Sequence, residues 1–415
     1  MINKKKLFFA SVIATLALTL GACSNSYVSD KATPTTITQV ADWKPFDENG
    51  EMIRTGRDAV GKIGVVATSK FEASRIGQEI LMKGGNAIDA AVAAGFALSV
   101  CEPQSSGIGG GGFMMIRIAK TGETIFIDFR ERAPKNATPE MWIEDENGKI
   151  QGNQKREGGK AAGIPGEVAG LLYALEKYGT MSREEVMRPA VNLARNGFVV
   201  TPTLSNDIKD SYDKMLTYSE TGEVFLTEDG FPYEPGDTFK NEEMAKTLEI
   251  IIEKGRDGFY KGEVAEAIVN SLNKYDGLFT MEDLANYQPK IRKPVTGTYR
   301  GYEIISSPSP SSGGAVVVQI LNILENFDVG SLEVNSPEYL HLFSETYKLA
   351  YADRAKYMGD TDYTPVPMKG LTSKEYAKEI SKYIDKTASK PSVSHDPWQY
   401  ESEDTTHYSI ADNEG

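Results

Sequence analysis

The sequence predicts an α+β chain rich in helix. Three observations carry this: several serine and threonine caps that open helices, one β-hairpin signal, and an irregular alternation of helices with short strands that contains no internal repeat. The first element is "IGVVAT" from Ile63, a short apolar strand. "FEASRIGQEILMKGG" follows as a helix closed by Gly84 and Gly85. "NAIDAAVAAGFALSVCEP" is an Ala-rich helix, apolar nearly all round, so it should be buried on several sides, and Pro103 ends it. Residues 113–118 and 124–129 are β-rich runs either side of a turn at Thr121, Gly122 and Glu123, which is the hairpin. Further helices are expected to open at the capping boxes "SREE" (from Ser182), "TMED" (from Thr280) and "TSKE" (from Thr372). Another is expected in "AVVVQILNILENF", and a long one runs from Ser336 and Pro337 to near Gly359.

The 415 residues allow two or three average domains or one large layered domain, and an apolar content of 40% is ample for a core. Net charge is −14, and loss of Lys4, Lys5 and Lys6 with a cleaved leader takes it to −17. Such a surface argues against nucleic acid or anionic lipid as a partner.

Lys4, Lys5 and Lys6 precede an apolar run, residues 7–20, and then "LGAC". That run is too short to cross a bilayer and has the flanks of an export signal. Cys23 directly after Leu20, Gly21 and Ala22 resembles a bacterial lipobox, in which the leader (1–22) is removed and the cysteine carries lipid. The alternative is a plain secretory signal. Multiple acyl chains on Cys23, at about 0.8 kcal/mol per buried CH₂, would hold the protein to a membrane that it does not cross. Residues 24 to about 43 are polar and without period, and residues 23–45 read as a lipid-anchored tether. Cys101 is the one other cysteine, so no disulfide framework is expected. His341, His395 and His407 show no ligand spacing, and no metal or other cofactor is expected.

Residues 107–112, "GIGGGG", satisfy GxGxxG, but a dinucleotide site needs a strand before the glycines and a helix after them. Here the order is reversed, and no Lys-Ser/Thr follows for a phosphate loop. A close-approach loop remains, either for packing alone or also lining a ligand pocket. Arg130, in "DFRERAP", is either a solvated ion-pair partner or a planar fork for a carboxylate. "SSPSPSSGG" (306–314) lacks both the GxSxG elbow and a histidine at a recognisable distance, and reads as a structural loop. Thr405 and Thr406 need no explanation beyond the start of a strand. As an N-terminal residue, however, a threonine has its own α-amine as base, with an ordinary pKa of roughly 7.7–8.0.

Seven blocks together carry a family resemblance: "GGNAIDAAVAAGFALSVCEPQSSGIGGGGFM", "DFRERAP", "GIPGEVAGLLYALEKYG", "DGFYKGEVAEAI", "SPSPSSGGAVVVQILNILENFD", "AYADRAKYMGD" and "TTHYSIAD". In this order, from about Gly61 to Asp412, the chain resembles the γ-glutamyltranspeptidases, or glutathione hydrolases, of the N-terminal-nucleophile hydrolase superfamily. The resemblance implies an αββα sandwich, of which this chain would hold the helix-rich large-subunit part (46–404) and the start of the small subunit (405–415), with the sandwich incomplete. It implies self-cleavage between Asp404 and Thr405, with Thr405 the nucleophile and new N-terminus. Arg130 matches the family arginine that holds the glutamyl α-carboxylate. The substrate would be a γ-glutamyl compound such as glutathione, with water or an amine as acceptor. Family oxyanion-hole glycines, a serine pair and an acidic residue for the substrate amine lie further downstream than these about ten residues after Thr405. The expectation is a truncated proenzyme, inactive and poorly cleaved without its small-subunit partner, of an exported lipoprotein on the periplasmic or extracellular face. A β-lactam side-chain acylase and a non-catalytic envelope lipoprotein are the alternatives.

Overall fold

A computed structural model describes residues 60–142, 144–150, 154–385, 387–389 and 409–412. The leader, the tether, Cys23, Asp404, Thr405, His395 and His407 lie outside the described residues. Strand β1 (Gly64–Ala67) leads into α1 (Phe71–Met82), which stops where Gly84 turns to φ +91°, a left-handed conformation that suits glycine. Helix α2 (Ala87–Cys101) is the centre of the main core. Val92, Ala93, Phe96 and Ala97 are fully buried, as its apolar circumference predicts, and the small side chains let α1 come close. An unforeseen capping box opens α2. Asn86 Oδ1 accepts from the Ile88 and Asp89 N–H groups, and Asp89 accepts in return from the Asn86 N–H at 2.8 Å. Buried Asp89 also accepts from the Thr180 and Met181 N–H groups and the Thr180 hydroxyl. The turn between α3 (Glu167–Tyr178) and α4 (Arg183–Asn196) is thereby tied to the core helix.

The expected hairpin is present as β2 (Gly112–Arg117) and β3 (Thr124–Phe129), and β4 (Lys290–Arg292), which follows α5 (Met281–Asn286), adds to β3 in antiparallel register. A second hairpin, β5 (Val295–Tyr299) with β6 (Tyr302–Ser306), packs against α6 (Gly313–Leu324). Helices α6, α7 (Pro337–Tyr357) and α8 (Lys374–Ser381) build a smaller apolar cluster around Ile323, Leu342 and Ala377. Finally β7 (Ser409–Asp412) runs antiparallel to β1, pairing Ser409 with Ala67 and Asp412 with Gly64.

The caps at Ser182, Thr280 and Ser336 open their helices as expected. The cap expected at Thr372 falls one residue later. Ser373 Oγ accepts from the Tyr376 N–H at 3.2 Å, while the Thr372 hydroxyl is turned back to the Met368 carbonyl at 2.7 Å, closing the preceding turn. The serine-rich segment is a structural loop. Ser309 donates to the Gly359 carbonyl at 2.6 Å and Ser312 Oγ accepts from Arg354 Nε at 2.8 Å. The Cys101 thiol is buried, which pushes its pKa far up, and one ring nitrogen of His341 meets the Asp385 carbonyl at 2.7 Å.

Candidate active site

Three backbone segments converge at the end of β3. The glycine loop leaves α2 and enters β2, so a helix precedes it and a strand follows, as the sequence demands. A Cβ on Gly111 would stand 2.5 Å from the Phe129 carbonyl oxygen, so that position excludes a side chain, whereas Gly109 has open space around it. The Gly110 carbonyl accepts from the N–H groups of Gly166 (2.8 Å) and Glu167 (3.0 Å), joining the loop to the start of α3. Gly166 is tighter still, since its Cβ would lie 1.8 Å from the Phe129 oxygen and 2.2 Å from Tyr287 Oη.

Arg130 follows directly from β3. Its peptide groups are held on both sides: its N–H donates to Asp128 Oδ1 at 3.1 Å, and its carbonyl accepts from Tyr287 Oη at 2.8 Å. By contrast the side chain is 57% exposed. Its guanidinium carbon lies 5.9 Å from the centre of the Phe113 ring, and Nε is 3.7 Å from Glu131. These are its side-chain contacts among the described residues, so the fork is open to a planar carboxylate. The guanidinium thus stands open above a backbone that is held on both sides.

Two acidic residues flank this place. Glu131 Oε1 would be 3.6 Å, and Glu167 Oε2 3.7 Å, from the Cβ positions of Gly110 and Gly112 respectively. Glu167 keeps some accessible surface, yet burial, with a smaller contribution from the like charge of Glu131, pushes its carboxyl up to about 8. Sequence reasoning did not single out Glu167, Tyr287 or Asp128. The signal for two of them was present in the blocks "DFRERAP" and "GIPGEVAG", where Asp128 and Glu167 stand beside the residues that attracted attention. Nothing near Tyr287 marked it.

Residues 73–415 match the family model described as Gamma-glutamyltranspeptidase. The chain belongs to the γ-glutamyltranspeptidase family. It is 46% identical over 357 residues to a glutathione hydrolase proenzyme of Escherichia coli, covering 85% of this chain and 61% of that protein. It is 41% identical over 369 residues to an acylase ACY 1 proenzyme of a Pseudomonas species, covering 86% of this chain and 65% of that one. Among solved structures, the γ-glutamyltranspeptidase of Helicobacter pylori superposes with a TM-score of 0.79 at 43% identity, over 83% of this chain and 98% of that one. The α+β N-terminal-nucleophile hydrolase fold is therefore shared, here in its helix-rich part. The chain spans about three fifths of the length of the glutathione hydrolase proenzymes that it matches.

Proposed function

We propose that the protein is a γ-glutamyl transferase and hydrolase precursor acting on glutathione and related amides. The observation that carries the reading is the family match over residues 73–415, joined to an Arg130 whose fork is open and whose backbone is held. In maturation, the Thr405 hydroxyl attacks the Asp404 carbonyl and the acyl group shifts from N to O, which breaks the peptide C–N bond and frees the Thr405 amine; water then cleaves the ester, releasing the Asp404 carboxylate and the Thr405 hydroxyl. In turnover, that amine takes the Oγ proton as Oγ attacks the γ-amide carbonyl. The tetrahedral oxyanion collapses, the C–N bond breaks and the leaving amine takes the proton. Water or an acceptor amine then attacks the γ-glutamyl ester, with the same amine as base, and restores Thr405. Arg130 pairs with the free α-carboxylate, which distinguishes a γ-linked from an ordinary peptide-linked glutamate. The site residues, the subunit division at Asp404 and Thr405, and the small-subunit partner are all parts of this proposal.

The test, on the protein completed with its small subunit, is intact-mass analysis combined with γ-glutamyl-p-nitroanilide turnover. A new polypeptide end at Thr405 and loss of turnover by at least ~10³-fold in Thr405→Ala are expected. Turnover by protein that never acquires that end would overturn the scheme. One band with no turnover would favour the non-catalytic binding lipoprotein. A second reading, a β-lactam side-chain acylase, is supported by the 41% identity to the Pseudomonas acylase. Preference for glutaryl amides over γ-glutamyl amides would favour it. We further propose lipid attachment at Cys23, with the protein exported and held on a membrane surface. Labelled fatty acid should be incorporated by the natural protein and not by Cys23→Ala.

A further inference from the structure

Asp128 is 5% exposed, and a buried carboxylate is costly unless both oxygens find partners. It divides them. Oδ1 accepts from the backbone N–H of Arg130 at 3.1 Å, and Oδ2 accepts from Arg292 Nε at 2.7 Å. Register explains the second contact. On the paired strands Phe126 faces Arg292 and Asp128 faces Lys290, so Asp128 and Arg292 are diagonal neighbours on one face. Arg292 is held in turn from beyond the sheet. Its NH1 and NH2 donate to the two oxygens of Asp362 at 3.2 and 2.7 Å, and Asp360 lies 3.7 Å from NH2. Burial of Arg292 opposes its charge, but the bonds to Asp362 and Asp128 outweigh that effect and keep it firmly protonated.

We propose that Arg292, acting through Asp128, is a positioning residue for Arg130, and that it sets how tightly the site grips a substrate α-carboxylate. The inference rests on the reading of Arg130 given above. A buried ion pair adds little net stability over a well-packed apolar pair, so its presence beneath an open guanidinium favours an orienting role. A rotation of ~10° about the Arg130 backbone would move the guanidinium by roughly 1 Å, a displacement that can cost on the order of 10²-fold in rate. The alternative is a stitch that only ties the loop after α7 to the sheet.

The test uses the full protein and the variants Arg292→Lys, which keeps the charge but not the fork, and Arg292→Met. KM and kcat are measured for γ-glutamyl-p-nitroanilide and for 4-aminobutyryl-p-nitroanilide, which lacks the α-carboxylate. Positioning predicts a KM rise of about 10-fold for the first substrate, a smaller change in kcat, and values within about 2-fold for the second. In parallel, the rate at which phenylglyoxal modifies Arg130 is followed by peptide mass spectrometry. A change of about 3-fold or more at Arg130, with Arg75 and Arg117 unaffected, is expected in variants whose melting temperature stays near that of the natural protein. Equal losses on both substrates, or an unchanged Arg130 rate in folded variants, would overturn the proposal. If the natural protein consumes neither anilide, it is the functional reading that fails, and the labelling rates alone decide the coupling.

Discussion

Glu167 shows how much one side chain depends on its surroundings. Its carboxyl sits at about 8 in the folded state, well above the usual range near 4.3. The folded protein therefore retains a proton that the unfolded chain has lost, and stability falls as pH rises between those values. Glu167→Gln has no charge to bury. Its melting temperature should match that of the natural protein near pH 4 and exceed it by a growing margin up to pH 8, as read by calorimetry. Asp89 is the opposite case, a buried carboxylate that accepts from both N–H groups of the turn before α4 and from its own N-cap. Asp89→Ala leaves those donors without a partner and should lower stability by about 2–4 kcal/mol in urea titrations.

At the scale of elements, the loop-to-loop contacts around Phe129 leave no space for side chains. Gly166→Ala puts a methyl group into a carbonyl oxygen, so the start of α3 must move. A loss of about 1–3 kcal/mol and weaker use of γ-glutamyl substrates are expected, measured by denaturation and anilide turnover. The clamp on Arg292 is sensitive to acid. Hydrogen bonds from Arg292, then Lys290, hold the Asp362 carboxyl down to about 2. Stability from this carboxylate is present above its unfolded pKa near 3.9 and is lost as pH falls through about 2. The stability gap between the natural protein and Asp362→Asn, about 1–2 kcal/mol at pH 7, should close between pH 4 and pH 2 in denaturation series. Locally encoded features were the legible ones. The first hairpin, the buried Ala-rich helix and the caps at Ser182, Thr280 and Ser336 each declare themselves within a few residues. Thr372 and Ser373 can both cap, and only the preceding turn decides between them. The contacts of Asp128 with Arg292 and of Glu167 with Glu131 were not legible, because they join segments separated along the chain. Arg130 was found through its family block, and the residues that hold it in place were not.

Over the whole molecule, two apolar clusters lie within one folded body, and the larger one holds Phe129 and Tyr287 beside the candidate site. Ile323 is fully buried in the smaller cluster, so Ile323→Ala should cost about 2–5 kcal/mol, again read by denaturation. The pairing of β1 with β7 joins Gly64 to Asp412, near the two limits of the described body. While the ribosome is still making the intervening chain, β1 has no strand beside it, and its backbone groups stay solvated or open to unwanted neighbours. Closing so long a loop is entropically costly and slow relative to local helix formation. The register between these two strands therefore cannot lock until residue 412 has been made, long after the helices between them can form from local contacts.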